Sequence, residues 1–355
     1  LGYGESKYER RHMTKSSIKL SVAISSTPSD DELLFVRQLG VDYAYADVGA
    51  DILDVKSLTD LRLRLADAGL ILHDVASPAL IRSEKIHLGL PGRDEAIDEF
   101  KSFVCNVGRA GIRAIPFIFS PTPVWSSGTG ESRGAKARRV DLDEMLKRPL
   151  THDREYTEKE IWDNFSYFIK EVIPVAEEAD VRLALHPSDP PVPSLGGIPS
   201  LIHCFEDYMR AFEIADSPYL GMKFCVGCCL EGGDAFGDML QAIPHFNSEG
   251  RIVIVNFRNV SSPLPRFVET FVDDGYADMY PVMKAFVEVG YQGSMILDHT
   301  ARFSRSPATD SDHDHPGYYA LDATPQRLAR DSERAYAVGY LRALMERAQA
   351  ELKVG

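Results

Sequence analysis

Eight times along the chain a short run of β-favouring residues is followed by a turn signal and then by a stretch with the three-to-four-residue periodicity of a helix. The strand segments are Ile18 to Ser25, Val41 to Val48, Leu70 to Ser77, Ile112 to Ser120, Arg182 to Pro187, Leu220 to Gly227, Ile252 to Val260 and Gly293 to Thr300. Several are almost continuously apolar, as in Ile252-Val253-Ile254-Val255, which is what parallel strands covered on both faces require. Two architectures satisfy this alternation: a closed (β/α)8 TIM barrel and an open doubly wound sheet. The open sheet usually carries a glycine-rich phosphate loop after its first strand, and Ser25-Ser26-Thr27-Pro28 is not one. The expected fold is therefore an α/β barrel.

The intervening helices have recognisable starts. Ser29, Asp30 and Asp31 precede the apolar run Leu33 to Val36, so a side-chain oxygen can cap the first turn, and Gly40 ends the segment. Thr157 and Glu160 have capping-box spacing ahead of a long helix from Ile161 to Ala179, whose Ile161, Phe165, Phe168, Ile169 and Val172 share one face. Two stretches interrupt the alternation, Pro121 to Tyr156 after the fourth strand and Ala301 to Asp322 after the eighth. Both follow strands, so both are expected to extend the face where barrel active sites lie. Residues 1–12 are polar and charged and Met13 offers an alternative start, so 1–17 are read as an N-terminal extension and 18–355 as a single catalytic domain.

Composition narrows the function classes. A net charge of −14 disfavours nucleic acid as a partner, and the one basic stretch, Arg133 to Arg139, has no interleaved aromatic and reads as a solvated or anion-facing loop. No apolar run approaches the ~20 residues needed to span a membrane, and no signal-peptide-like segment opens the sequence; a soluble, cytoplasmic protein without a membrane partner is expected. Five cysteines (Cys105, Cys204, Cys225, Cys228, Cys229) at irregular spacing fit reduced thiols better than a disulfide framework.

The ends of barrel strands converge on one mouth, so donors far apart in sequence can meet there. Strands five to eight end in His186, Cys225, Asn256 and Asp298. Each has an ordinary structural reading: a satisfied histidine, a packing cysteine, a helix-capping aspartate. Their equivalent positions favour a shared role, and imidazole, thiolate, amide oxygen and carboxylate together suit Mn, Fe, Co or Zn. The C-x-x-C spacing of Cys225 and Cys228 lacks the second pair of a structural zinc site, so Cys228 and Cys229 are read as packing residues.

From about Val75 to the last helix, the chain resembles the mannonate dehydratases. The resemblance rests on Trp162 through Pro174 with Ala176-Glu177-Glu178-Ala179, and on Leu183-Ala184-Leu185-His186-Pro187-Ser188-Asp189-Pro190-Pro191. It continues in Phe224-Cys225-Val226-Gly227, Phe257-Arg258-Asn259-Val260, Asp278-Met279 and Asp298-His299. It implies a metal-dependent sugar-acid dehydratase that converts D-mannonate to 2-keto-3-deoxy-D-gluconate and water. A divalent ion, Mn2+ foremost with Fe2+, Co2+ and Zn2+ as alternatives, stabilises the enediolate left when the C2 proton departs. It also implies His186, Cys225 and Asp298 as metal ligands, with Asn256 at the further ligand position. His299 and Tyr318 are implied as candidate acid/base residues, either of them in either role, Arg302 and Arg258 as substrate-binding residues, and a homo-oligomer as the assembly.

The pattern departs from the family in three places. Asn256 stands where the family has a histidine, and an amide oxygen is a harder, weaker donor than imidazole. The loop after the fourth strand reads Pro123-Val124-Trp125-Ser126-Ser127-Gly128 in place of Asp-Trp and an arginine. Asp-His-Gly-Arg becomes Asp298-His299-Thr300-Ala301-Arg302. These departures keep two alternatives open: isomerisation, epimerisation or elimination on a related sugar or sugar acid, and a catalytically silent binding protein that has lost its metal. The cluster Asp310, Asp312, His313, Asp314 and His315 reads as a solvated acidic loop.

Overall fold

The computed structural model describes residues 18–121, 125–303 and 324–353. Eight parallel strands close into a barrel in sequential order, each paired with its neighbours in sequence and the last with the first. They are β1 (Lys19–Ile24), β2 (Tyr43–Asp47), β3 (Ile71–Ala76), β4 (Ala114–Ile118), β5 (Arg182–His186), β6 (Leu220–Cys225), β7 (Ile252–Phe257) and β8 (Ser294–Leu297). Every expected strand is present, shorter than expected by a residue or more at one end or both. The N-terminal extension lies outside the described residues.

Alternation along each strand divides the core in two. Leu183, Leu185, Phe224, Val255 and Met295 point outward and pack with the surrounding helices, where Phe100 meets Phe168 edge-on at 5.2 Å and Phe119 meets Phe165 at 5.4 Å. Ala114, Ala184, Ile254 and Ile296 point inward and form a small separate cluster with Tyr45. Two of those four are alanine, which suits a tight barrel interior.

The caps form as the sequence indicates. The Ser29 side chain accepts from the Glu32 N–H, and Thr157 and Glu160 make a reciprocal capping box that opens the helix Glu158–Ala179. The final helix returns to the start of the barrel, where Arg342 donates to the carbonyls of Leu39 and Gly40 at 2.7 and 3.0 Å. Among the described residues no helix is long and apolar enough to cross a membrane.

The insertion after β4 is more ordered than expected. Gly128–Ser132 and Ala135–Asp141 form a β-hairpin, and Arg266–Val268, from the excursion after β7, adds a third antiparallel strand. The stretch read as a solvated basic loop is therefore largely strand, and the excursion after β7 is an elaboration that the sequence reading lacked. Arg133 is taken up by Asp273 and Arg139 by Glu144, while Arg138 is buried. Of the insertion after β8, residues 304–323 lie outside the described residues, including Tyr318 and the cluster from Asp310 to His315.

Gly108 marks the closest approach of two barrel helices, because a Cβ there would stand 2.4 Å from the Ala179 carbonyl oxygen and 2.9 Å from its Cβ. Backbone is in the way, so the helices themselves must part to admit a side chain. Gly108→Val is expected to lower the free energy of unfolding by about 1–3 kcal/mol. Urea denaturation checks this, and an unchanged midpoint would contradict the packing described.

Candidate active site

Strand register carries the expected donors to one end of the barrel. Cys225 pairs with Asn256 across β6 and β7, His186 is the last residue of β5, and Asp298 follows the last residue of β8. His186 Nδ1 lies 2.7 Å from the Pro187 carbonyl. A carbonyl can only accept, so Nδ1 carries the proton and Nε2 keeps its lone pair, the state a metal-binding imidazole needs. Donor atoms of His186, Cys225 and Cys228 lie within 4.8 Å of one another, and Asp298 Oδ2 is 3.5 Å from Cys225 Sγ. Cys228, expected as a packing residue, thus belongs to the donor group.

Asn256 is 2 % exposed and its Oδ1 has no hydrogen-bond partner. An unpaired buried amide oxygen is costly, so this atom is suited to a ligand that the protein itself does not supply. The donor set as a whole fits a divalent transition ion.

Behind the donors lies a buried charge network centred on Arg258, whose side chain is fully buried. Its Nε contacts Asp298 Oδ2 at 2.8 Å, Nη1 contacts Glu231 Oε1 at 2.5 Å, and Nη2 contacts Asp189 Oδ2 at 2.8 Å. Gly227 makes room for it, since a Cβ there would fall 2.3 Å from Arg258 Cγ. Arg138 reaches two of the same carboxylates from the hairpin, Asp189 at 2.6 Å and Glu231 at 3.3 Å, and adds Glu269 at 2.8 Å. Its guanidinium also lies over Trp125, 4.7 Å from the ring centre.

His299 closes the network. Nδ1 is 2.5 Å from Glu269, and Nε2 is 3.5 Å from Asp189 and 3.6 Å from Asp298. Trp125 meets its ring edge-on. Burial alone would favour the neutral ring, but Asp298 and Glu269 outweigh it and raise the imidazolium to about 10. Against the pull of burial, His299 and Arg258 hold Asp298 far below the usual carboxylate range, and Arg138 and Arg258 do the same for Asp189. Burial would raise Cys225 too, yet its hydrogen bond with Cys228 and the Arg258 charge hold it to about 5. Glu231 goes the other way: burial, reinforced by Asp189, lifts it to about 8 despite both arginines.

At neutral pH the ionised carboxylates of Asp189, Glu269 and Asp298 are thus matched by Arg138, Arg258 and His299, with Glu231 protonated. The Cys225 thiolate stands among the metal-capable donors.

Of the residues expected at the site, His186, Cys225, Asn256, Asp298, Arg258 and His299 are brought together. Arg258 has all three of its nitrogens on carboxylates rather than turned to a ligand. Arg302 is exposed; its N–H bonds to the Lys136 carbonyl at 2.8 Å and its charge faces Glu333, so it stands outside the network. Sequence reasoning missed Arg138, Glu231 and Glu269, whose partners lie 93 and 131 residues apart along the chain. Asp189 was within the matched segment without a role, and its place beside the Pro-Pro pair after β5 was the one available signal.

Glu231 gives the network a pH signature. Between its ordinary value of 4.5 and about 8 it is protonated in the folded chain and ionised in the unfolded one, so the folded state binds the extra proton. Stability from this group is therefore complete below 4.5 and declines as pH rises toward 8, by at most about 1.4 kcal/mol per pH unit. Glu231→Gln is expected to lose that decline. Urea midpoints of parent and variant should lie close together at pH 5 and separate as pH rises to 8.5, the parent falling below the variant, and parallel curves would refute the assignment.

Known proteins resemble this chain in sequence and in fold. The family model described as UxuA, D-mannonate dehydratase, matches residues 133–351. The mannonate dehydratase of Thermotoga petrophila is 30% identical over 306 residues, covering 74% of this chain and 84% of the relative. That of Streptococcus equi subsp. zooepidemicus is 29% identical over 277 residues, covering 70% and 75%. Among solved structures, the mannonate dehydratase of Streptococcus suis serotype 2 superposes with a TM-score of 0.77 at 25% identity, covering 94% of this chain and 96% of that one. An L-ribulose 3-epimerase, at 16% identity and a TM-score of 0.57 with 94% and 97% coverage, shares the fold.

Proposed function

The chain belongs to the mannonate dehydratase family and is a hydro-lyase of that kind, and we propose that it is a metal-dependent dehydratase acting on D-mannonate to give 2-keto-3-deoxy-D-gluconate. The observation that carries the reading is the convergence of His186, Cys225, Asn256 and Asp298 at one barrel mouth, beside an imidazolium at His299. His186, Cys225 and Asp298 would hold the ion, with Asn256 Oδ1 turned to the ion or to a substrate hydroxyl. When bound, a divalent ion supplies positive charge against the electron density that gathers on the sugar-acid carboxylate as the C2 proton leaves.

The remaining work falls to side chains. Tyr318 accepts the C2 proton, and the C2–H electron pair becomes the C2–C3 double bond. His299 gives its proton to the C3 hydroxyl, which leaves as water, and the resulting enol tautomerises to the 2-keto acid. Glu269 fixes the orientation of the His299 ring through Nδ1, which leaves Nε2 as the donating nitrogen. Arg258 acts as a positioning residue, since it holds Asp298 and Asp189 in place without facing substrate. Arg302 in this reading binds the carboxylate end of the sugar acid from the rim of the mouth.

Incubating the manganese-loaded protein with a panel of aldonates and assaying for 2-keto-3-deoxy acids tests the reading. Product from D-mannonate is expected, and absence of product from every aldonate refutes it. Solvent deuterium at C2 of recovered substrate without dehydration would instead assign an epimerase. Removing the donor with His299→Gln is expected to reduce kcat about 10²–10⁴-fold with little change in KM. A change confined to KM would remove His299 from the chemical step.

A further inference from the structure

We propose that Cys228 is itself a ligand of the metal site, its thiolate standing in for the imidazole that Asn256 replaces, so that this chain grips its ion through two thiolates. The inference rests on the metal-site reading above and concerns a residue that the reading does not use.

The geometry supports it from several sides. Cys228 is fully buried and its Sγ shares a 4.8 Å group with the donor atoms of His186 and Cys225. Its N–H donates to Cys225 Sγ at 3.3 Å, which fixes the two residues on one turn of backbone. Residues three apart on such a turn face the same way, the basis of the C-x-x-C clamp in many metal sites. That signature lacks its second half along the sequence. In the folded chain the second half comes from across the barrel: His186 at the end of β5 and Asp298 after β8, whose Oδ2 is 3.5 Å from Cys225 Sγ.

The surroundings of Cys228 are also wrong for a packing residue. Arg258 Nη2 lies 3.6 Å from its Sγ, and Asp189 and Glu231 bring carboxylate oxygens within 4.8 Å. A thiol used only to fill space sits among apolar groups, whereas a thiolate on an ion gains from a guanidinium beside it. Asn256 offers a buried, unpartnered amide oxygen, a weaker donor to a transition ion than a thiolate. Two thiolates, one imidazole and one carboxylate form a soft, four-donor set. Such a set takes zinc or ferrous iron ahead of manganese, which prefers oxygen donors.

X-ray absorption at the zinc edge of the full chain loaded with one zinc equivalent tests the assignment without any substitution. Two sulfur scatterers at about 2.3 Å are expected, and a single one would overturn it. In Cys228→Ser one sulfur should be lost from the spectrum. Competition with a chromophoric chelator should show at least about 100-fold weaker zinc binding, beyond what loss of a neighbour to a ligand costs. Unaltered affinity and sulfur count would overturn the assignment as well. A parent protein that takes up no zinc would overturn both this inference and the metal-site reading beneath it, whereas a one-sulfur spectrum removes only Cys228.

Discussion

The buried guanidinium of Arg258 is the contact on which the rest of the site depends. It touches the carboxylates of Asp189, Glu231 and Asp298, which come from the loop after β5, the helix after β6 and the end of β8. No apolar contact could hold three such charged segments at fixed separations. The arrangement is costly to disturb, because taking one partner from a buried ion pair strands the other and typically destabilises by about 3–5 kcal/mol. Arg138 and His299 then bring the charges near to balance, and a site that bound substrate with these groups unpaired would be far less defined.

Much of the fold was legible because parallel strands sheathed in helices must be apolar on both faces. Ile252 to Val255 announces such a strand with no knowledge of its neighbours. The helix caps are legible for a related reason, since a helix end must satisfy its free N–H groups locally, as Thr157 and Glu160 do. The site was legible only where it coincides with strand ends. His186, Cys225 and Asp298 follow from topology, because every strand of a barrel ends at the same mouth.

The charge network was not legible, and the reason is physical. Hydropathy assigns Arg138, Glu231 and Glu269 to the surface, and nothing local reveals that they neutralise one another across the fold. Arg138 was the hardest case: it stands between Ala137 and Arg139 in a stretch that looks solvated, yet strand alternation turns Arg139 outward and Arg138 inward. Cys228 illustrates a subtler limit: the C-x-x-C spacing is visible in the sequence, whereas the nearness of His186 and Asp298 to that pair is set only by barrel closure.

The three-stranded sheet over the barrel mouth joins two excursions that leave different strands, β4 and β7. One contributes Arg138 and Trp125, the other Glu269, and all three meet at His299 or its partners. The outer loops and His299 are thus a single connected unit. Divergence in a barrel enzyme is often pictured as free exchange of loops on an indifferent scaffold. Here a replacement hairpin would have to arrive with its matching strand and its matching buried charge. Variation in this part of the molecule is therefore expected to proceed by concerted change of both excursions, and the rim evolves at the pace of the chemistry it encloses.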